Sequence, residues 1–248
     1  MTEPLLELND VSVSFDGFYA LTDLSLKLYK GELKSIIGPN GAGKTTFLDV
    51  ITGKVRPTKG TVTFKGKSLV GLTEQRISRE GIGRKFQTPR VFDNLTVLRN
   101  LELAASPYKT PFSLLAHRLP TSVKDEVHRL MNYVGLAPHA TSQAGSLSHG
   151  QKQWLAIAML VAQSPEVLLL DEPVAGLTDE ETVRTAELIK SLAGDHTVVV
   201  IEHDMEFIRD LDFDVTVLHQ GQVLTEGTLD QVKSDPRVIE VYLGKTED

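Results

Sequence analysis

The sequence predicts a mixed α/β fold with three parts: a core sheet with helices, an antiparallel β subdomain and a helical lobe. Residues 5–28 alternate between apolar and polar side chains, which is the period of half-buried strands. Residues 167–170 and 198–201 are apolar throughout, as expected of strands covered on both faces. A glycine-rich turn joins the short predicted strand 33–37 to a helical pattern, so a strand, a loop and a helix follow one another there.

The first third of the chain contains strand patterns and two short helical patterns. Gly53 follows the helix that begins after the glycine-rich turn, and glycine commonly ends a helix. The elements predicted up to residue 87 are strands within 5–28 and at 33–37, 60–64 and 83–87, and helices at 45–52 and 76–81.

The stretch between Thr88 and Leu147 has a different character. Prolines interrupt residues 106–120, and the apolar side chains of residues 123–134 fall on one helical face. We therefore predict a helical lobe over residues 88–163, inserted into a core and β subdomain formed by residues 1–87 and 164–248 of a single domain. The elements predicted after residue 88 are helices at 94–105, 123–134, 151–163 and 182–192, strands at 167–170 and 197–201, and a hairpin of 215–219 with 222–225.

The composition favours a globular protein that has no nucleic acid partner. The 248 residues include 26 basic and 33 acidic side chains, and the net charge of −7 argues against a surface built to hold nucleic acid phosphates. The chain has no cysteine, which excludes disulfides and thiolate metal sites. Residues 156–162 are among the longest apolar stretches, far below the ~20 residues that span a bilayer. We expect any membrane role to act through a partner protein.

One segment matches the phosphate-loop pattern in full. Its glycines let main-chain N–H groups curl around phosphate oxygens, and the helix that starts near Lys44 adds the positive end of its dipole. Lys44 is expected to meet the terminal phosphates and Thr45 to hold Mg²⁺ through its hydroxyl. The match predicts a phosphate-loop NTPase (RecA-like) core. The nucleotide-binding residues predicted here are Gly38, Pro39, Asn40, Gly41, Ala42, Gly43, Lys44, Thr45 and Thr46.

Polar side chains at the ends of other strands are candidates for the chemistry. Asp171 can reach the same Mg²⁺, and Glu172 is the candidate base that orients an attacking water. The alternative is that these two carboxylates only cap a strand before Pro173. His203 ends the next buried strand, where it could contact the γ-phosphate or be structural. Gln87 stands at the end of another predicted strand and could sense Mg²⁺ and water.

The start of another helix predicts a second anion site. A single bound nucleotide does not need this additional site. The segment Ser148-His149-Gly150-Gln151 leads into a helix, whose free N–H groups and serine hydroxyl can bind an anion. Because the chain has one phosphate loop, the simplest arrangement is that this segment completes the site of a second molecule, head to tail. The same pattern also fits an ordinary helix cap. Phe15, on an alternating strand, could stack on adenine or lie in the core.

These motifs, in this order and spacing, resemble those of the nucleotide-binding subunit of ABC transporters along essentially the whole chain. The resemblance implies ATP and Mg²⁺ as cofactors and an ATPase activity coupled to transport. It implies that Phe15 stacks on adenine, that Gln87 communicates with the transmembrane subunits and that the segment 147–151 is the signature that meets nucleotide. The further roles it implies are catalytic for Glu172, His203 and Lys44, metal-binding for Thr45, Gln87 and Asp171, and cofactor-binding for Ser148, His149, Gly150 and Gln151.

Two positions depart from the family pattern. His149 occupies the position at which the family usually has the first of two signature glycines. Histidine has a Cβ atom and a ring, so its fit against a nucleotide needs a backbone angle that tolerates them. After Gly176-Leu177 the family commonly places aspartate, but here Thr178 stands there with Asp179 one step later, and we assign Asp179 no role.

The transported solute is predicted from resemblance alone. Segments 83–88 and 241–244 look like those of the branched-chain amino acid importer group. Segments 150–155 and 171–182 are similar to the ATP-binding subunit of urea importers in that group, so we predict urea as the solute. A branched-chain amino acid importer is the alternative, and a lipopolysaccharide-type exporter, which shares the tail, is another.

The resemblance also implies partners and a place in the cell. The expected partners are a second ABC ATPase subunit, usually a different chain, two transmembrane permease subunits and, indirectly, a solute-binding protein. The expected location is cytoplasmic, peripheral on the inner face of the plasma membrane. A soluble ABC ATPase that acts on DNA or ribosomes is disfavoured by the acidity. A regulatory subunit without turnover is disfavoured by the intact Lys44, Asp171, Glu172 and His203.

Overall fold

Two sheets organise the fold. The computed structural model of the protein describes residues 3–85, 87–107 and 119–243. Phe86, most of the proline-broken segment 106–120 and Gly244 of the predicted tail motif lie outside the described residues. The described strands are β1 (Leu6–Phe15), β2 (Phe18–Leu28), β3 (Leu33–Ile37), β4 (Lys59–Phe64), β5 (Lys67–Ser68), β6 (Ile82–Lys85), β7 (Val167–Asp171), β8 (Thr197–Ile201), β9 (Val215–His219) and β10 (Gln222–Gly227).

The first sheet is the predicted antiparallel subdomain. Its strand order is β2-β1-β4-β5, and β1 pairs antiparallel with β2 and with β4. Leu6 and Leu8 are fully buried whereas Glu7 between them is not, which is the alternation that the sequence shows. The subdomain lies against one face of the second sheet, because its apolar side chains and those of that face belong to one buried cluster.

The second sheet carries the strand ends at which the candidate site residues lie. Its order is β10-β9-β3-β8-β7-β6, with β9, β3, β8, β7 and β6 parallel and β10 antiparallel to β9. The apolar runs at 167–170 and 197–201 lie side by side as β7 and β8, and both are buried on both faces, as predicted. Since parallel strands end at the same edge, the residues that follow β3, β6, β7 and β8 meet at one edge of the sheet.

Helices cover both faces of this sheet. Leu168 and Leu170 of β7 face a cluster that includes the helices of residues 97–161, whereas Leu169 faces the cluster of the β subdomain. The helices of the described ranges are all too short or too polar to traverse a bilayer. They are α1 (Lys44–Ile51), α2 (Glu74–Glu80), α3 (Val97–Ala105), α4 (Thr121–Tyr133), α5 (His149–Val161), α6 (Asp179–Leu192), α7 (Met205–Leu211), α8 (Leu229–Ser234) and α9 (Pro236–Leu243).

Capping residues set helix starts that the apolar pattern places wrongly. We predicted starts at residues 94, 151 and 182, and the structure starts these helices at 97, 149 and 179. Thr96 accepts a hydrogen bond from the Arg99 N–H group, and Ser148 and Thr178 each form a reciprocal capping box with the residue three positions later. A cap fixes the first turn whether or not that turn carries apolar side chains. The prediction that a strand extends from 83 to 87 is wrong at Gln87, which lies in a bend, and the described strand β6 spans Ile82–Lys85.

Candidate nucleotide site

The phosphate loop follows β3, as predicted, and its lysine folds back over it. Lys44 Nζ donates hydrogen bonds to the carbonyl oxygens of Gly38, at 2.6 Å, and Pro39, at 3.0 Å. Burial lowers the pKa of the Lys44 ammonium, although the carboxylates of Glu172 and Asp171 act in the opposite direction. The ammonium is therefore held over the loop by carbonyl oxygens that phosphate oxygens can replace.

Close packing explains the glycines of the loop. A Cβ atom on Gly38 would clash with the Leu218 carbonyl oxygen, and one on Gly43 would lie 2.7 Å from the Ala20 carbonyl oxygen. Gly43 also has a φ of 101°, and Gly41 has a φ of 81°. A Cβ atom on Gly41, in contrast, would have no described atom within 4 Å beyond its chain neighbours, so that part of the loop faces open space. The loop is wedged between β2 and β9 and is open where a phosphate group would enter, so these residues fit a nucleotide.

An arginine that the sequence analysis did not single out joins two elements of the site. Arg84 donates from Nη1 to Asp49 Oδ1 of α1, at 2.5 Å, and from Nη2 to Asp171 Oδ2, at 2.9 Å. Its side chain is only 5% exposed. Asp171 is thereby oriented toward the α1 side of the sheet, where Thr45 lies in the first turn of α1. The hydroxyl and carboxylate oxygens of Thr45 and Asp171 are donors of the kind that Mg²⁺ prefers.

The backbone at Glu172 is unusual and orients its side chain. Glu172 has a φ of 44°, in the left-handed region that non-glycine residues seldom occupy, and its N–H group donates to the Ile201 carbonyl oxygen at 2.9 Å. Its carboxylate accepts a hydrogen bond from Gln87 Nε2 at 2.5 Å. The structure thus brings Gln87 and Glu172 together, and the left-handed conformation turns the chain at the strand end where Glu172 stands.

His203 lies next to the same carboxylate. His203 Nδ1 is 3.8 Å from Glu172 Oε1 and 3.5 Å from an oxygen of Glu202, and its side chain is 66% exposed. Glu202 is buried and accepts hydrogen bonds from the N–H groups of Val174 and His203. Burial raises the pKa of the Glu202 carboxyl against the effect of those hydrogen bonds. Glu202 therefore holds the chain after Glu172 and the chain at His203 at a fixed spacing.

A buried lysine near these carboxylates was also missed by the sequence analysis. Lys85 is 4% exposed, and among the described residues its Nζ atom has no hydrogen-bond partner. Burial lowers its pKa to about 8, opposed by the charges of Asp171, Glu202 and Glu172. The only signal in the sequence is a charged residue within a strand pattern, which also fits a solvent-exposed edge.

The predicted second anion site is a helix start with its own partners. Ser148 caps α5 and forms the capping box with Gln151. The Ser148 hydroxyl donates to Glu181 Oε1 at 3.4 Å, and a Cβ atom on Gly150 would clash with the same carboxylate. The exposed His149 ring lies against the loop after Glu172, with Nε2 3.1 Å from the Ala175 carbonyl oxygen. In the described part of the chain, these contacts join the start of α5 to residues 175–181, and none joins it to the phosphate loop.

Two predicted cofactor contacts lie at the surface. Phe15 ends β1 opposite Phe18 and is 49% exposed, so its ring is accessible for stacking rather than placed in the core. Thr46 follows Thr45 in α1 and is partly buried. The structure therefore gathers the phosphate loop, Gln87, Asp171, Glu172 and His203 at one sheet edge and places Phe15 apart from them on the β subdomain.

A family model identifies this arrangement. The model described as ABC transporter matches residues 21–175, from β2 to the loop after Glu172. The chain belongs to the ABC transporter family. A second model, described as branched-chain amino acid ATP-binding cassette transporter, matches residues 222–248 of this ABC protein. The resemblance stated from the motifs is thereby confirmed at the level of the family, and the chain is the ATP-binding subunit type of that family, an ATPase.

Curated relatives match the ABC chain over nearly its full length. The high-affinity branched-chain amino acid transport ATP-binding protein LivG of Escherichia coli K12 is 38% identical, covering 99% of this chain and 100% of the relative. The protein BraF of Pseudomonas aeruginosa, of the same description, is 35% identical over the same shares. These names place the chain among ATP-binding subunits of the branched-chain amino acid importer type. They do not support urea, the solute that we predicted first, and they support the alternative better.

Solved structures confirm the predicted fold class. A nucleotide-free ATP-binding cassette from an ABC transporter superposes with a TM-score of 0.84 at 29% identity, covering 98% of this ABC chain and 100% of the solved one. A cassette in the ADP conformation gives the same values. A dimeric cassette in a post-hydrolysis state, bound to ADP and Pi, superposes with a TM-score of 0.75 at 28% identity over 90% of this chain and 98% of that one.

Proposed function

We propose that this chain is the ATP-hydrolysing subunit of an importer for branched-chain amino acids. The observation that carries the proposal is the meeting of the phosphate loop, Asp171 and Glu172 at one sheet edge, in a chain whose relatives are named for that transport. Lys44 binds the terminal phosphates once they replace the carbonyl oxygens that it now contacts.

The cation site follows from the donors at this edge. Thr45 and Asp171 would hold Mg²⁺, with Gln87 as a further contact, and the ion when bound would offset negative charge on the phosphates. Arg84 keeps Asp171 in place by donating a hydrogen bond to its Oδ2 atom. The position of Asp171 therefore depends on a buried ion pair within the chain.

Glu172 is the proposed general base. Its carboxylate accepts from Gln87 Nε2, and that hydrogen bond fixes the orientation in which the carboxylate can take a proton from an attacking water. His203, 3.8 Å from Glu172, is proposed to contact the γ-phosphate with its exposed ring. Phe15 is proposed to stack on the adenine ring.

We propose that the site is completed by a second ATPase subunit. Ser148 and His149 contact residues 175–181, and Gln151 contacts His139. The capping box uses the N–H groups of Ser148 and Gln151, so among the described residues those of His149 and Gly150 are left for a nucleotide bound to another chain. In a dimer arranged head to tail, each nucleotide lies between the phosphate loop of one chain and this helix start of the other. Two transmembrane permease subunits and a solute-binding protein complete the proposed importer, with this subunit on the cytoplasmic face of the membrane.

The proposed chemistry is tested with Glu172→Gln. The substitution keeps the size of the side chain and removes the base, so phosphate release from ATP is expected to fall by about a hundredfold or more while ATP still binds. Hydrolysis at the wild-type rate would overturn the role of Glu172. Lys44→Ala is the companion variant, which is expected to lose ATP binding as well.

The solute is tested by uptake of labelled leucine beside labelled urea in the source cells carrying Glu172→Gln. Loss of leucine uptake with urea uptake intact is expected. Loss of urea uptake alone would favour the urea importer that the segments 150–155 and 171–182 resemble. Neither outcome changes the ATPase assignment, because ATP hydrolysis is measured separately on the purified chain.

A further inference from the structure

One turn of α5 contacts the loop that follows the proposed catalytic carboxylate and also the glutamine that donates a hydrogen bond to this carboxylate. His149 and Gln153 are four residues apart, so their side chains lie on the same face of the helix. His149 is exposed, whereas Gln153 is fully buried. A buried amide in an otherwise apolar helix face costs stability unless it is hydrogen-bonded, so its partner is informative.

His149 holds the loop that follows Glu172. Its Nε2 atom lies 3.1 Å from the Ala175 carbonyl oxygen, and a Cβ atom on Gly176 would be 3.7 Å from the imidazole ring. A carbonyl oxygen can only accept, so Nε2 carries the proton in this contact.

Gln153 holds the other segment. Its Nε2 atom donates to the Gln87 carbonyl oxygen at 3.3 Å, and the 3.4 Å approach to His149 Nε2 adds no bond when that nitrogen already carries its proton. The Gln87 side chain in turn donates to the Glu172 carboxylate at 2.5 Å. The main chain of Gln87, whose side chain donates to Glu172, and the loop after Glu172 are thus fastened to the same helical turn.

We propose that His149 and Gln153 are a positioning pair that sets the orientation of Glu172 from the start of α5. This inference rests on the proposed function, in which the N–H groups of the same turn meet the nucleotide of the partner chain. A nucleotide that binds at the start of α5 therefore also acts on His149 and Gln153. Through these two residues it affects the orientation of Glu172 in the same chain. His149, which departs from the usual signature glycine, supplies an anchor that a glycine cannot.

The test uses His149→Ala, Gln153→Leu and the double variant, with His149→Gln as the conservative rescue. Loss of one hydrogen bond that orients the base is expected to lower kcat about fivefold and to leave the KM for ATP within about twofold. His149→Gln retains an N–H donor and is expected to recover most of the rate. The double variant is expected to lose less than the product of the single losses, because both residues act on Glu172.

Lys152→Ala is the matched control on the same turn. Lys152 Nζ contacts Asp93 at 3.1 Å and neither segment beside Glu172, so its substitution is expected to leave kcat unchanged. A general effect on α5 stability would lower kcat in this variant too and would overturn the proposal. Unchanged kcat in His149→Ala, with the wild-type chain active, would also overturn it.

Amide hydrogen exchange separates this proposal from the proposed function. His149→Ala is expected to speed exchange within residues 173–178 and His149→Gln to restore protection. If the wild-type chain hydrolysed no ATP, the proposed function would fail, and exchange would still report whether the pair holds the loop. Unchanged exchange in residues 173–178 would show that His149 does not anchor them, whatever the ATPase result.

Discussion

Arg84 is the residue on which the geometry of Asp171 depends. Its guanidinium bridges Asp49 and Asp171, and its side chain is 5% exposed. A buried ion pair adds little net stability, but removing one partner leaves buried charges uncompensated. Arg84→Met is therefore expected to lower the free energy of unfolding by about 3 kcal/mol, measured by urea denaturation.

The control for this prediction is an exposed arginine. Arg99 pairs with Glu102 on the surface of α3, with 70% of its side chain exposed. Exposed pairs are worth little because water screens them, so Arg99→Ala is expected to change the free energy of unfolding by less than about 1 kcal/mol. An equal loss in both variants would show that the burial of Arg84 is not what matters.

Lys85 predicts a dependence of stability on pH. Its pKa in the folded protein is about 8, below the ordinary value of 10.5, mainly because of burial. Between these two values the unfolded chain binds more protons than the folded one, so the free energy of unfolding rises with pH across this window. Below about pH 8 the buried charge costs up to about 3 kcal/mol, which Lys85→Met removes. Denaturation at about pH 7 and about pH 10 is expected to show an advantage for Lys85→Met that shrinks at the higher pH.

A second lysine gives the opposite sign and serves as the control. Burial lowers the pKa of Lys34, but Glu32 and Glu226, at 3.4 and 3.1 Å, outweigh it and raise the pKa overall. Lys34→Met is therefore expected to destabilise the fold at about pH 7.

A stability advantage of Lys85→Met that stayed constant between about pH 7 and about pH 10 would contradict the Lys85 prediction. It would show that the charge of Lys85 does not differ between the folded and unfolded states.

Residues with a motif could be predicted from the sequence, and residues defined by tertiary contacts could not. Lys44, Asp171 and Glu172 are named by the loop pattern and by the ends of apolar runs, which are local features. Arg84 and Lys85 matter because β6 lies beside β7, as their register shows. No local pattern gives that pairing, so the buried ion pair and the buried ammonium were absent from the sequence analysis.

At the scale of elements, Thr178 explains a departure from the family pattern. It caps α6, accepting from the Glu181 N–H group, while Glu181 accepts from the Thr178 N–H group at 3.2 Å. The Glu181 carboxylate also accepts a hydrogen bond from the Ser148 hydroxyl. Thr178→Ala is expected to lower the free energy of unfolding by about 1 kcal/mol and also to reduce the ATPase rate, because Glu181 loses the cap that positions it beside α5.

Thr228 is the matched control for this cap. It forms the same capping box with Gln231 at the start of α8, and its helix carries no predicted site residue. Thr228→Ala is expected to lower stability by about the same amount with an unchanged ATPase rate. A rate loss in Thr228→Ala equal to that in Thr178→Ala would mean that lowered stability, and not the position of Glu181, accounts for both.

The sequence identified strands better than short helices. β3 and β8 have the predicted bounds, because polar or glycine residues flank each of these short strands. α7, α8 and α9 were not predicted, although Asp204 and Thr228 are capping residues that could have indicated two of them. Six to eight residues span about two turns, which is too short for helical periodicity to show above the surrounding pattern.

At the scale of the whole molecule, the phosphate loop and the start of α5 share no hydrogen bond within the described residues. The phosphate loop lies at the edge formed by β3 and β7, whereas the Ser148 hydroxyl bonds with Gln151 and Glu181 within the described residues. In the proposed head-to-tail pair, the helix start of one chain completes the phosphate loop of the other. This arrangement distinguishes a head-to-tail pair from a chain that hydrolyses ATP alone.

Mixing two variants tests this arrangement. Lys44→Ala removes the phosphate loop's cation, and Ser148→Asp keeps the cap of α5 but places a negative charge where a phosphate would bind. Each variant alone is expected to be inactive, because every site then lacks one half. Random pairing of the two purified chains gives mixed pairs with one complete site, so phosphate release is expected to return to about a quarter of the wild-type rate. Full activity of Ser148→Asp alone would show that α5 does not contribute to the site. An inactive mixture, with the wild-type chain active by itself, would rule out the head-to-tail pair between copies of this chain.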